Sequence, residues 1–216
     1  MKRGVSKSFL TIRYMPKYKQ INLQDMIEEI GEDRTKDILS DFLCDKNMDV
    51  QEFLRRKAIE FSKRGFAKTT LVFWVSDNDK EKYLVGYFAL SNKNITVKKS
   101  NVSKNTYKRI YHFSDDAEKD SCTIAAILIG QLGKNYKDGN DTVIDGSELL
   151  QMAIDKVKKA QNIIGGKFVY LECENNRKLI EFYERNGFVS FGRRELDKDE
   201  DNINGRYLIQ MIRYLH

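Results

Sequence analysis

Residues 171–188 read LECENNRKLIEFYERNGF. An apolar strand runs through two asparagines into a short amphipathic pattern that ends at Gly187, a residue suited to the left-handed turn that terminates a helix. Within that pattern Tyr183 follows Leu179 by four residues, which puts both side chains on one helix face. The spacing predicts a packing role for Tyr183, and the alternative is a hydroxyl that donates a proton in a site.

The rest of the chain alternates between strand-like and helix-like patterns. Two β-branched and aromatic runs, residues 68–76 and 82–91, predict a hairpin, and helical periodicity covers residues 21–64. A short helix or strand is predicted within residues 107–113. The remaining predicted elements are strands at 122–134, 167–174, 188–195 and 206–215, a helix at 147–162, and an acidic insertion at 197–204. This order indicates an α/β or α+β domain with a mixed sheet.

Length and composition indicate one core with a peripheral extension. The chain has 216 residues, of which 12 are Phe and 11 are Tyr. We predict a helical N-terminal extension at residues 1–49, packed on a main domain at residues 50–216. No apolar run approaches the roughly 20 residues that span a bilayer, so no membrane contact is expected. Three cysteines with no C-x-x-C pair favour reduced thiols in the cytoplasm and no metal site.

The net charge of +6 is concentrated in the middle of the chain. Residues 50–115 carry 14 Lys/Arg and six Asp/Glu, a net charge of +8, whereas residues 1–49 carry nine of each and residues 116–216 carry 15 against 17. Residues 93–109 hold six basic side chains and no acidic one. Such a segment attracts anionic partners such as phosphorylated cofactors or RNA, and the alternative is a solvated lysine-rich loop.

The predicted strand, loop and helix across residues 122–162 form a first candidate site. A helix N-terminus after a buried strand offers free N–H groups and a positive dipole end, which favour a phosphate or pyrophosphate. Gly139 and Gly146 would allow the backbone to approach such a group closely. Strand–turn–helix units are common, however, and Asp145 with Glu148 has the spacing of a purely structural capping box.

Three segments together resemble the GNAT family of N-acyltransferases. They are AAILIGQLGKN at 125–135, DGSELLQMAIDKV at 145–157, and VYLECENNRKLIEFYERNGF at 169–188. The asparagines after a strand, followed by FYERNGF at 182–188, match the family's C-terminal signature. FLRRKAIEFSKRGFAKTTLVFW at 53–74 is more loosely similar to the subgroup of toxins that acetylate aminoacyl-tRNA. The resemblance implies a mostly antiparallel mixed sheet whose splayed central strands are flanked by helices.

The same resemblance implies a function and its residues. The activity would be transfer of the acetyl group of acetyl-CoA to a primary amine by direct attack. Tyr183 would protonate the departing thiolate, and Asn176 would contact the cofactor. The expected cofactor-binding residues are Leu132, Gly133 and Lys134 for the pantetheine arm, Asp145, Gly146 and Ser147 for the pyrophosphate, and Asn176 with Tyr183.

A base for the attacking amine is sought on the strand at 167–174. Glu172 and Glu174 alternate with Leu171 and Cys173, so both carboxylates can face one side of the sheet. Either could accept the proton, directly or through water, and the alternative is that both are solvated strand carboxylates. Cys173 would point the other way, as a core residue rather than a nucleophile.

The phosphate loop departs from the family pattern. Thr142 and Ile144 stand where glycines are expected, and Asp145 and Glu148 bring negative charge to the helix start. A catalytically inactive GNAT-like binding or regulatory module is therefore the alternative function. The acceptor is left open between a small molecule, a protein amine and an aminoacyl-tRNA, with RNA contact through residues 50–115. A homodimer through the N-terminal segment is also compatible with the sequence.

Overall fold

One mixed sheet organises the computed structural model, which describes residues 17–76, 80–114, 116–118, 120–197, 203 and 205–215. Its strands are β1 (Lys17–Asn22), β2 (Lys68–Val75), β3 (Lys82–Lys98), β4 (Asp116–Ala117), β5 (Ser121–Lys134), β6 (Phe168–Glu174), β7 (Val189–Glu195) and β8 (Tyr207–Tyr214). Their order is β1-β2-β3-β5-β6-β8-β7, and the two-residue β4 pairs with β5. Of the described strand pairs, β5 with β6 is the parallel one, and the others are antiparallel.

Helices cover both faces of this sheet. They are α1 (Leu23–Ile30), α2 (Glu32–Ser40), α3 (Met48–Glu52), α4 (Ala58–Lys63), α5 (Lys104–His112), α6 (Gly146–Ile164) and α7 (Arg177–Arg185). A π-helical turn, Phe53–Lys57, joins α3 to α4. Short 3-10 turns occupy Lys99–Asn101 and Lys137–Thr142. No helix among the described residues combines the length and apolar character needed to cross a bilayer.

Strand alternation divides the core into three clusters. On one face, α6 and α7 pack on Val169, Leu171 and Cys173 of β6. On the other face, the helices of residues 23–63 cover β2 and β3, while α5 covers a separate cluster that includes Phe168 and Tyr170. Because both sides of β6 are buried against helices, its residues 168–171 are all apolar or aromatic.

The two central strands, β5 and β6, diverge towards one end of the sheet. β5 pairs with β6 at Ile127, Ile129 and the residue between them, opposite residues 169–171. Beyond that point β5 continues to pair with β3, and β6 continues to pair with β8. A register shift between β3 and β5 at Gly130 marks the place where β5 turns away. The edge of β5 that faces β6 therefore has no strand partner over residues 130–134.

The helices that flank this opening begin at side-chain caps. Asp145 and Glu148 form a capping box at the start of α6, as the spacing predicted. Asn176 accepts a hydrogen bond from the Lys178 N–H at the start of α7. Gly187 follows α7 with φ +80°, the conformation predicted from its position after the helical pattern.

The observed elements differ from the predicted ones in two places. Residues 17–22 form the edge strand β1, although they lie in a segment predicted to be helical, because pairing with β2 outweighs the local helical tendency. β3 runs to Lys98, seven residues past the predicted hairpin strand. Of the predicted short element at 107–113, residues 107–112 lie in α5. The boundary at residue 49 stays a prediction. Most of the predicted insertion 197–204 and residues 1–16 lie outside the described residues.

Gly133→Ala is expected to destabilise the fold. A methyl group on Gly133 would overlap Val50 Cγ1 and lie 3.3 Å from Phe42 Cζ, so α3 or β5 must shift. Overpacking of this kind costs roughly 1–3 kcal/mol in the free energy of unfolding, measured by urea denaturation. Gly130→Ala is the matched control on the same strand, because its new methyl group would approach no atom closer than 3.7 Å. Equal stability of the two variants would contradict this packing argument.

Candidate active site

A cleft of about 700 Å³ opens where β5 diverges from β6. Its walls come from both faces of the sheet, so the cleft passes between the two strands rather than lying on one surface. The wall residues from the predicted set are Leu132, Gly133, Lys134, Gly146, Glu172, Glu174, Asn176 and Tyr183. The structure thus gathers eight residues from four separate elements around one opening. Asp145 and Ser147 flank Gly146 but do not line the cleft.

Tyr183 is both a packing residue and part of the cleft wall, which corresponds to the two interpretations that its spacing allowed. Its ring is 8% exposed and packs edge-on against Phe182 and Phe188, with centroid distances of 5.1 and 5.8 Å. The residue nevertheless lines the cleft. No described residue forms a hydrogen bond with its hydroxyl. Burial, and secondarily the nearby Cys173, raises the pKa of Tyr183 above its usual value, so the hydroxyl keeps its proton at neutral pH.

Glu172 is held by three hydrogen-bond donors. The Arg194 Nε donates to one of its oxygens at 2.7 Å, and the Gln210 Nε2 donates to the other at 3.1 Å. The Tyr170 hydroxyl also donates to Glu172, and burial together with this bond raises the pKa of Tyr170. A carboxylate whose oxygens already accept these three bonds has few lone pairs left for an incoming amine. Glu172 as the base stays a prediction, and its contacts suit a structural role.

Glu174 lies two residues further along the same face of β6 and has a different environment. It is half-buried at the cleft, and no described residue forms an ion pair or side-chain hydrogen bond with its carboxylate. Of the two predicted carboxylates, Glu174 is the one whose lone pairs are available to an incoming amine. Cys173, between them, points into the opposite core, where burial raises its pKa to about 12 and keeps the thiol protonated.

Backbone N–H groups at the start of α6 are already hydrogen-bonded to the side chains of Asp145 and Glu148. Asp145 accepts from the Ser147 N–H at 2.8 Å, and Glu148 accepts from the Asp145 N–H at 2.9 Å. The Lys134 ammonium donates to the carbonyls of Asp141 and Ile144, so it fastens the preceding loop. These bonds remove donors that a pyrophosphate would use. Only part of the predicted phosphate site is therefore open.

Sequence reasoning missed several residues of the cleft. Lys178, at the start of α7, and Lys46, whose ammonium lies 4.2 Å from the Tyr136 ring centroid, add positive charge to the wall. Asp49 accepts a hydrogen bond from Gln131 on the opposite side. Lys178 stands two residues after Asn176 of the asparagine signature and could have been noted. The other residues approach the cleft through tertiary packing and carry no local signal. Among the described residues, no group of three His, Cys, Asp or Glu could hold a metal ion.

Comparisons with known proteins establish the class of fold. No protein-family model and no curated protein matches the chain. Solved structures do match: one described as a bacterial toxin aligns with a TM-score of 0.59 at 17% identity, covering 93% of this chain and 92% of its own. The chain therefore shares the fold of this structure, in agreement with the predicted GNAT fold with splayed central strands.

Two further matches are structures of AtaT and of AtaTR. AtaT complexed with acetyl-methionyl-tRNAfMet aligns with a TM-score of 0.58 at 15% identity, covering 89% of this chain and 94% of its own. AtaTR bound with acetyl-CoA aligns with a TM-score of 0.52 at 16% identity, covering 89% of this chain and 91% of its own. At these identities the matches define the fold.

The two carboxylates should differ in their effect on stability. Glu172→Ala removes the acceptor of the Arg194 Nε, of the Gln210 Nε2 and of the Tyr170 hydroxyl, and we expect a loss of roughly 1–3 kcal/mol in the free energy of unfolding. Glu174→Ala, on the same strand and face, removes no such bond and should stay within about 0.5 kcal/mol of the wild type. Urea denaturation of both variants measures the difference. A Glu174 variant as unstable as the Glu172 variant would show that this description of the wall is wrong.

Proposed function

We propose that this protein is an N-acetyltransferase that moves the acetyl group of acetyl-CoA to the amino group of an aminoacyl-tRNA. One observation carries the proposal: the cleft crosses the sheet between β5 and β6, with Tyr183 on one side and Glu174 on the other. A thioester placed in the opening would then be approached from opposite directions by a proton donor and by an amine. The fold shared with AtaT, which has been solved with acetyl-CoA and with an acetylated aminoacyl-tRNA, supports both substrates.

The unpaired edge of β5 suits the pantetheine arm. Over residues 130–134 the N–H and C=O groups that point towards β6 have no strand partner, so they are free to bond the amides of an extended chain. Leu132, Gly133 and Lys134 are the residues that would contact it. Gly146, at the start of α6, and Asn176, at the start of α7, lie in the wall near the expected phosphates. Lys178 adds a positive charge to the same wall.

The reaction requires that the site orient the amine and the thioester and that two protons be transferred. The acceptor amine attacks the thioester carbonyl, and backbone N–H groups at the opening stabilise the developing oxyanion. The amine's proton passes to Glu174, whose carboxylate has no competing partner among the described residues. When the C–S bond breaks, the thiolate takes the proton of the Tyr183 hydroxyl. The raised pKa of Tyr183 ensures that this proton is present before the reaction.

The charge distribution supports an aminoacyl-tRNA as the acceptor, as does the fold shared with AtaT. The net charge of +8 over residues 50–115 is suited to a polyanion, and Lys93 from this segment lines the cleft. A cytoplasmic location, where charged tRNA is found, and a homodimer remain predictions.

A second function is favoured by the bonds at the start of α6. Because Asp145 and Glu148 satisfy N–H groups there and add negative charge, a binding module that does not hold acetyl-CoA fits these contacts better than an enzyme does. Calorimetric titration with acetyl-CoA distinguishes the two functions. Saturable binding supports the enzyme, and absence of binding at millimolar cofactor supports the module.

Tyr183→Phe should abolish most of the transfer. Incubation with acetyl-CoA and aminoacyl-tRNA, followed by measurement of acetylated aminoacyl-tRNA, should show a rate about 100-fold to 10,000-fold below that of the wild type. The reason is the missing proton donor, so acetyl-CoA affinity should be unchanged. Tyr136→Phe is the matched control, since it removes a hydroxyl from the same cleft. Expression of the wild type should halt translation, and expression of the Tyr183 variant should not.

Glu174→Gln should lower the rate in a pH-dependent manner. An α-amino group has a pKa of about 8, so a base is needed below that pH and solvent removes the proton above it. The loss should therefore shrink as the pH rises from about 6 to about 9. The loss caused by Tyr183→Phe should stay constant over that range, because the raised pKa of Tyr183 keeps its hydroxyl protonated. Parallel profiles for the two variants would exclude Glu174 as the base.

A further inference from the structure

We propose that the surface between α5 and β8 is a second site, which binds a single-stranded segment of RNA through stacked bases and phosphates. The site, called here the α5 groove, has a volume of about 310 Å³ and lies apart from the cleft. Its floor is apolar, formed by Ile110, Phe168 and Ile212, and Arg109 and Arg213 stand at its sides with Tyr214. The identity of the RNA, an acceptor tRNA, rests on the proposed function. The chemistry of the site rests on the residues of the groove itself.

The position of α5 turns its basic side outward. Ser103 accepts a hydrogen bond from the Thr106 N–H and so begins the helix. Tyr107 and Ile110 are buried against the sheet, which leaves Lys108 and its neighbours exposed. The basic residues of the segment, Lys93, Lys98, Lys99, Lys104, Lys108 and Arg109, form no ion pair with any described residue. Their charge is consequently available to an anionic partner.

Both arginines of the groove are oriented but not neutralised. The Arg109 guanidinium lies 5.1 Å from the centroid of the Tyr214 ring, and Arg213 donates to the Asn186 carbonyl at 2.9 Å. Neither forms an ion pair with a carboxylate among the described residues. A guanidinium fixed in this way can bind a phosphate through two N–H groups or stack on a base. Two such groups in the lining of a groove with an apolar floor match a nucleotide, which has a phosphate and a flat aromatic base.

Exposed aromatic rings extend the surface beyond the groove. Tyr111 is 51% exposed and Phe113 is 38% exposed, although both are large side chains that folding normally covers. They line a shallower depression of about 460 Å³ together with Lys108 and Arg109. Aromatic rings alternating with cations form the usual platform for single-stranded nucleic acid, because bases of any sequence can stack on the rings. A neutral protein partner would leave these cations unused.

The groove lies on the face from which the acceptor would approach. Phe168 in the floor and Glu172 at the cleft belong to the same side of β6, four residues apart, which corresponds to roughly 13 Å. Glu174, the expected base, lies two residues further along that side. An RNA whose aminoacylated end enters the cleft can therefore place a neighbouring unpaired segment across α5. The groove would hold the acceptor without touching the reacting atoms.

The test compares two paired charge deletions. Lys108→Ala with Arg109→Ala removes two exposed charges from α5, and Lys158→Ala with Lys159→Ala removes two exposed charges from α6 on the opposite face. Fluorescence anisotropy with deacylated tRNA and with a short oligouridine should show roughly tenfold weaker binding for the α5 variant at about 0.1 M salt. Its salt slope should fall by about 1.4, the value for two lost contacts to a single strand. The α6 variant should bind as the wild type does.

A third variant isolates stacking from charge. Tyr111→Ala should weaken oligouridine binding about fivefold or more while leaving the affinity for blunt duplex RNA unchanged, since paired bases cannot stack on the ring. Unchanged RNA affinity in the α5 variant, or an equal loss in the α6 variant, overturns the inference. The inference is also overturned if the α5 substitutions weaken binding to phosphatidylserine vesicles as strongly as they weaken binding to RNA, because the surface would then recognise anionic membranes.

These binding measurements require no acetyl transfer. If the wild type fails to acetylate aminoacyl-tRNA while the α5 variant still loses RNA affinity, the proposed function fails and the inference holds. If acetylation occurs but the α5 variant binds RNA normally, the inference alone fails. Acetyl-CoA titration of the α5 variant should match the wild type, which shows that its cleft is intact.

Discussion

The short parallel pairing between β5 and β6 is the constraint on which the rest of the structure depends. On one side, β5 is held to β3, and Val50 of α3 sits where Gly133 has no side chain. On the other side, β6 is fixed by seven residue pairs with β8. Because each strand is bound more extensively to its outer neighbour, the two cannot close against one another. The opening is therefore built into the fold and needs no ligand to create it.

The two faces of the opening are prepared in different ways. On the α7 face, aromatic packing fixes the Tyr183 ring and burial keeps its proton, while the hydroxyl has no partner among the described residues. On the other face, Arg194 and Gln210 hold Glu172, which stiffens the wall and leaves Glu174 as the available carboxylate. The proposed reaction needs a proton donor on one side of the opening and an acceptor on the other, and this asymmetry suits it.

The sequence was most informative where structure is set by short-range rules. The asparagine cap, the apolar face and the terminating glycine of α7 follow from the order of neighbouring residues, and the hairpin of β2 and β3 follows from two β-rich runs. The strand β1 was not predicted, because an edge strand is stabilised by its partner and not by its own composition. Nor could the sequence reveal that the Lys134 ammonium would bond the carbonyls of Asp141 and Ile144.

The sequence by itself determined the order of elements, the alternation that puts Glu172 and Glu174 on one side of β6, and the basic character of residues 93–109. The tertiary structure decided which of these residues are free to act. Glu172 accepts a hydrogen bond from Arg194, 22 residues further along the chain, whereas no described residue forms a side-chain hydrogen bond or ion pair with Glu174. Whether a carboxylate is free to react depends on which side chains from distant segments contact it. Local spacing does not contain that information, because these contacts form only when the strands pack together.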